Sequence, residues 1–517
     1  MLLSFPMLRI MPVLALLSAG LRAEVSLAPI FQDHVVLQRE QPVPVWGRAD
    51  PGERITVRFL DQVRTTAADA GGKWSVMLAP LAARVEPGEL VVSGKNEVHL
   101  TDVLVGEVWL ASGQSNMEFP VYVPDSAAFR LDHAQDEVAA ANYPLIRELR
   151  IEHVVASEPV AAAEGSWRVC SPATVGVFSA VGYFFARDLF RELHVPIGII
   201  HSSWGGTPVE SWMSADALAS QPQFSVVTKR WARTVEDYPA RKQEFDAASA
   251  AWEKAAREAD ALSPAARLAF ARTHRRPRAP RGPGDSWTPS ALFNGMIAPL
   301  VPAAFRGVIW YQGESNADRA GEYRDLFGAM IRQWRQDFGR TFPFYFVQLA
   351  SFRADEDKTH ESYAFLREAQ DQTLALPETG MAVTIDIGNP DNIHPGNKQD
   401  VGHRLALIAE ARTYGLPVEF AGPRYESMKR EGPTERIKFN HAAGLSARPG
   451  ALVGFALAGA DRIFHPATAR IDGETVVVSS SEVTNPKAVR YAWANAPQGN
   501  LFNGAGLPAG PFRSDNW

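Results

Sequence analysis

The sequence holds one cysteine, Cys170, in 517 residues. No disulfide can form within the chain, and a thiolate zinc site lacks its ligands. Beside Trp167 and Ser171-Pro172, Cys170 reads as a small core residue. Charge of one sign is also scarce. The net charge of -6 at pH 7 is small for this length, which argues against a nucleic-acid surface. Beyond the first residues no uninterrupted apolar run reaches transmembrane length, so no stable membrane insertion is expected. There is no clustered ligand set such as His-Glu-x-x-His, and neither a metal nor another cofactor is expected.

What is present is the make-up of a soluble globular protein, 46% apolar and 21% charged. At this length one compact core does not suffice, and two or three domains are expected. Residues 1–23 read as an export signal. Arg9 is the positive charge, residues 10–18 are mostly apolar, and Leu21-Arg22-Ala23 precedes a cleavage site. That predicts a periplasmic or secreted bacterial protein, in a compartment where disulfides are permitted but not required.

Residues 24–104 carry short β runs, as at 43–46, 55–59 and 74–78, broken by turns such as Asp50-Pro51-Gly52, and predict an N-terminal β-sandwich. Over 105–422 strands alternate with helices, as in the helix at 178–193 followed by the strand at 196–200. This is the texture of an α/β domain around a parallel sheet. Residues 214–289 interrupt it with a charged, Ala-rich helical stretch, a second helix over 264–273 and a basic Pro/Gly-rich loop over 274–284. The segment reads as an inserted helical hairpin. Its basic loop is a solvated loop by default, with contact to an anionic substrate as the alternative. From 423 to 517 β texture returns.

The chemistry concentrates in four segments at or after predicted strand ends: Gly113-Gln114-Ser115-Asn116-Met117, Ser202-Ser203-Trp204-Gly205-Gly206-Thr207-Pro208, Gln312-Gly313-Glu314-Ser315-Asn316 and Asp391-Asn392-Ile393-His394. In a parallel sheet such loops converge on one rim. Together they supply a nucleophile, a glycine turn of backbone donors, side-chain amides and an acid–base pair, the parts that acyl transfer needs. Ser115 can attack and His394 can take its proton. Asp391, three residues earlier on the same short segment, is placed to orient the imidazole, with Asp386 in reserve. A base of this kind predicts an acid limb near the reference histidine value of about 6.5. The α/β-hydrolase elbow would need glycine where Met117 stands, so another serine-hydrolase scaffold is indicated.

These motifs, in this order, resemble the sialate O-acetylesterase family of carbohydrate esterases, in the SGNH (GDSL-like) hydrolase superfamily. The likeness spans most of the chain and excludes the insertion. It implies an SGNH-type three-layer sandwich and a Ser115–His394–Asp391 triad. It also implies an oxyanion hole built from the N–H groups of Ser115 and of Gly206 or Gly205. Where SGNH enzymes usually place an asparagine side chain, this chain has Gln312, with Asn316 second. Glu314 is either a pocket residue or a structural partner of its loop, and Gln114 and Trp204 join it as expected substrate-binding residues. The implied activity is removal of O-acetyl groups from an acetylated carbohydrate. The sugar is sialic acid or a plant polysaccharide such as acetylated xylan. A non-catalytic carbohydrate-binding protein is a third reading, against which the intact Ser115, Asp391 and His394 count. Trp204, Trp310, Tyr311 and Met117 are expected to close a shallow acyl pocket, although Trp310 sits within a buried strand run.

Overall fold

The structure, a computed structural model, describes residues 24–517; the export signal expected over 1–23 lies outside the described residues. Its centre is a mixed sheet of 11 strands. Seven of these form one continuous path: β1 (Glu97–Gly113), β2 (Tyr143–Ile151), β3 (Gly165–Cys170), β4 (Ile197–Ser203), β5 (Gly307–Tyr311), β6 (Phe344–Val347) and β7 (Thr379–Ala382). Their order across the sheet is β3-β2-β4-β1-β5-β6-β7. All neighbours run parallel except β3, which is antiparallel to β2. The chain leaves β1 toward one side, through β2 and β4, then crosses back to β5 on the other. The reversal happens at β1, and the crevice beyond the carboxyl ends of such strands is where open sheets bind ligands.

Parallel strands covered on both faces read as continuous apolar runs. Residues 103–113 of β1 are all buried. Trp109 and Trp310 show how the two faces are filled. Trp310 is in register with Ser112, three residues from Trp109, so the two indoles point to opposite faces. Trp109 packs edge-on against Phe185 of helix α2 (Ala180–Leu193) and donates to the Tyr414 hydroxyl at 3.1 Å. Trp310 packs against Phe327 and Trp334 of helix α5 (Ala320–Asp337). Helix α2 starts at Ser179, whose hydroxyl accepts the Gly182 N–H. Helix α6 (Lys398–Arg412) starts at Asn397, whose side chain accepts the Asp400 N–H.

Strand β1 also belongs to the N-terminal β part. Its first half pairs with Arg84–Ser93 and with Val36–Gln38. The strand therefore runs unbroken through 104/105, and one hydrophobic core extends from the N-terminal strands into the central sheet. The insertion is a helical hairpin of α3 (Ser225–Leu262) and α4 (Pro264–Thr273), joined at Ser263 and closed by Trp252 against Phe270. Only Val227 of α3 is buried. Beyond the hairpin, Arg281 lies over the Trp287 ring, and the Trp287 indole donates to the Gly206 carbonyl at 2.6 Å. The C-terminal region forms two four-stranded sheets and a two-stranded one around its own core, which also takes in Ile385.

Candidate active site

Register brings the first three motif segments together. Gly113 at the end of β1 lies opposite Ser203 of β4 on one side and Tyr311 of β5 on the other, so three loops leave the sheet at one level. Gly113 has a φ of +134°, and a Cβ there would stand 2.2 Å from the Tyr311 carbonyl oxygen, so only glycine lets the chain turn here. Ser115 then opens the single-turn helix α1 (Ser115–Glu118). The Oγ of Ser115 lies 2.8 Å from Nε2 of His394. For the hydroxyl to donate to Nε2, the imidazole must carry its proton on Nδ1. The His394 N–H donates to the Asn392 side chain at 3.0 Å, and the ring lies 4.7 Å from that of Phe129. Burial, with the charge of Lys398 as a second cause, pushes the imidazole down to about 4, well below the expected 6.5.

The acid is placed differently from the expectation. The Asp391 carboxylate is 67% exposed and paired with Arg353. Among the described residues no carboxylate hydrogen-bonds the His394 ring. Asp386 is engaged elsewhere, in a bidentate pair with Arg404 at 2.7 and 2.6 Å. Ser115 and His394 are thus together, and Asp391 stands apart from them.

The two candidate amides brace the glycine turn. Gln312 Nε2 donates to the Thr207 carbonyl at 3.2 Å and to Asn316 Oδ1 at 2.7 Å, which uses both its hydrogens. Asn316 Oδ1 also accepts the Val209 N–H, and its Nδ2 donates to Glu210. Each amide orientation is therefore fixed by its partners. Gly205 packs against Ser115: a Cβ there would lie 3.3 Å from Ser115 Cβ. The Gly205 N–H donates to Glu118 at 2.7 Å, whereas those of Ser115 and Gly206 carry no hydrogen bond among the described residues. Glu118 also pairs with His153, whose ring stacks on Trp204 at 4.2 Å. Gln114 is a linker between loops, its Oε1 accepting the N–H groups of Gly313 and Ser315 at 3.3 Å each.

Glu314 reaches the turn that carries Ser115 through Asn116. Its Oε1 accepts from Asn116 Nδ2 at 2.5 Å, its Oε2 has no partner, and burial raises its pKa. On the other side of Asn116, Lys398 Nζ donates to Oδ1 at 2.7 Å. Sequence reasoning missed Lys398 and Glu118. A lysine opening a helix reads as a solvated charge, and only the tertiary structure buries it. The expected acyl pocket needs a correction. Trp310 and Tyr311 are completely buried, since both faces of the sheet are covered, as is Met117 in α1, and of the four only Trp204 reaches the surface of the site.

A cleft of about 1120 Å³ adjoins His394, lined by Tyr122, Asp125, Phe129, Asp132, Asn389 and Asn392 among others. Among the described residues no group of three or more His, Cys, Asp or Glu could hold a metal, and no helix is long and apolar enough to cross a membrane.

The contact between Ser115 and His394 stands at the switch point of the sheet, and the chain has clear relatives. The model of the family described as carbohydrate esterase, sialic acid-specific acetylesterase, matches residues 105–246 and 284–410. The sialate O-acetylesterase of Rattus norvegicus is 31% identical over 461 residues, covering 80% of this chain and 79% of the relative. That of Homo sapiens is 30% identical, covering 78% and 74%. A solved structure described as a novel carbohydrate acetylesterase from Xanthomonas citri superposes with a TM-score of 0.80 at 41% identity, covering 95% of this chain and all of that one. The chain belongs to the sialic acid-specific acetylesterase family of carbohydrate esterases and is a carboxylic ester hydrolase.

Proposed function

We propose that this chain is an exported serine esterase that removes O-acetyl groups from a carbohydrate through Ser115, His394 and Asp391, on an SGNH-type three-layer scaffold. The observation that carries the reading is the 2.8 Å contact between Ser115 Oγ and His394 Nε2. Ser115 Oγ attacks the acetyl carbonyl while Nε2 takes its proton. The oxyanion is met by the N–H groups of Ser115 and Gly206, held ready by the Gln312–Asn316 brace. Collapse returns the proton to the sugar oxygen and leaves an acetyl-serine. Water activated by His394 then releases acetate. A base near 4 is weak for this task, because general-base catalysis favours a pKa close to the working pH. Exchange of the Asp391 carboxylate from exposed Arg353 to the His394 Nδ1–H would raise it, and that is the role given to Asp391 here.

The sugar occupies the cleft beside His394. Sialic acid is the leading substrate, by the kinship above. One observation favours a neutral plant polysaccharide such as acetylated xylan: Asp125, Asp132 and Asp136 line the cleft against a single arginine, Arg130, and like charge there disfavours an anionic sugar. The test is acetate release from O-acetylated sialic acid and acetylated xylan side by side, with Ser115→Ala as control. Turnover by purified Ser115→Ala would overturn the mechanism.

A further inference from the structure

Asn116 is the meeting point of three distant segments. Its Nδ2 donates to Glu314 at 2.5 Å and to the Ile393 carbonyl at 3.0 Å, while its Oδ1 accepts from Lys398 Nζ at 2.7 Å. An amide suits this position because it offers an acceptor to the ammonium and donors to the carboxylate and carbonyl. Lys398 is wholly buried, with its ammonium 4.7 Å from the ring of Phe119 and 5.5 Å from that of Tyr311. It makes no ion pair with a carboxylate among the described residues; Glu314 is reached only through Asn116. A buried cation without a direct partner is costly, and an apolar side chain of similar volume would fill the space at less cost. A packing role alone therefore does not account for the charge.

We infer that Lys398 is a positioning residue for the Ser115–His394 pair: it clamps the nucleophile turn through Asn116 and sets a positive charge beside the base. The inference rests on the serine-esterase reading above. The charged groups around the ammonium are Glu314, from the loop after β5, and Asp132, from the cleft wall. Both favour its protonated form, against the burial that holds it down to about 7. Below that pH Lys398 is charged, and its repulsion keeps the His394 imidazole from taking a second proton. The base then stays neutral further into the acid range than burial alone would allow.

The experiment compares Lys398→Met with the wild-type chain. It reads kcat and KM across pH, together with the pH dependence of covalent inactivation by an organophosphorus fluoride at Ser115. The expected result is a plateau kcat lowered ten-fold or more, KM changed less than two-fold, and an acid limb moved upward by on the order of one pH unit in both assays. Lys398→Gln retains a donor to Asn116 without the charge. It should show the same upward limb with a smaller loss of kcat, and it stands in if the methionine variant does not fold. An unmoved limb in a folded variant overturns the inference. Ser115→Ala in the same assays separates the two readings. If it is inactive while the Lys398 variants keep a wild-type limb, only the role of Lys398 falls.

Discussion

Asp391 lies three residues before His394, yet its carboxylate pairs with Arg353, so among the described residues the imidazole meets Ser115 without a carboxylate partner. A short loop can place an acid near a base and still leave open which cation the acid prefers. The acid limb of kcat/KM reports the choice, because His394 must be neutral to accept the serine proton and activity falls as it protonates. With Asp391 engaged, the limb should lie above about 4, toward the reference value near 6.5. Asp391→Asn should then move it down by a unit or more and lower kcat, less severely than His394→Ala. A wild-type limb already near 4 that Asp391→Asn leaves in place would reduce the triad to a Ser115–His394 dyad.

Gln312 and Asn316 share one hydrogen bond and support one turn. Gln312→Ala should cost about a hundred-fold in kcat, the scale of a lost oxyanion contact, and Asn316→Ala somewhat less. Because the two act as a unit, the double variant should be little worse than Gln312→Ala alone. Additive losses in kcat would show that one amide contacts the oxyanion independently of the other.

The site surface beside Ser115 carries a tight glycine turn and one half-buried indole, Trp204, backed by His153. Activity on chromogenic esters should fall steeply from acetyl to butyryl to octanoyl. Trp204→Ala should flatten that fall by improving kcat/KM on butyryl relative to acetyl. A wild-type preference for octanoyl would remove the acetylesterase reading.

Chelator treatment should leave the rate unchanged, since serine, histidine and backbone donors supply every step proposed. Loss of activity in chelator, restored by a divalent ion, would place a metal in the reaction.

Much of this arrangement is legible in the residues, for reasons that also mark where legibility stops. Ser115 and His394 stand at strand ends and loops that periodicity locates, and the hairpin's second helix runs over the expected 264–273. Side-chain partners are another matter. Asp391 with Arg353, Gly205 with Glu118, and Lys398 with Asn116 join segments whose approach depends on tertiary packing, which no local pattern encodes. Strand β1 shows a subtler limit. Its alternating start at 97–102 and continuous apolar run from 103 read as two textures, and so as a boundary. They are one strand, passing from a sheet wet on one face to a sheet covered on both.

That strand also decides what can be taken from this enzyme and still work. A graft beginning at 105 would keep every residue proposed for catalysis and lose the half of β1 that anchors the serine-bearing half. Val103 and Leu104 would go with it, both completely buried. Strand pairing is cooperative along its length, so the loss would loosen the far end, where Gly113 sets the height of Ser115 between its neighbours. The N-terminal β part is therefore no exchangeable module. Shuffling it against a foreign domain would have to preserve a strand that pairs with Val36–Gln38 and Arg84–Ser93 on one half and with the central sheet on the other.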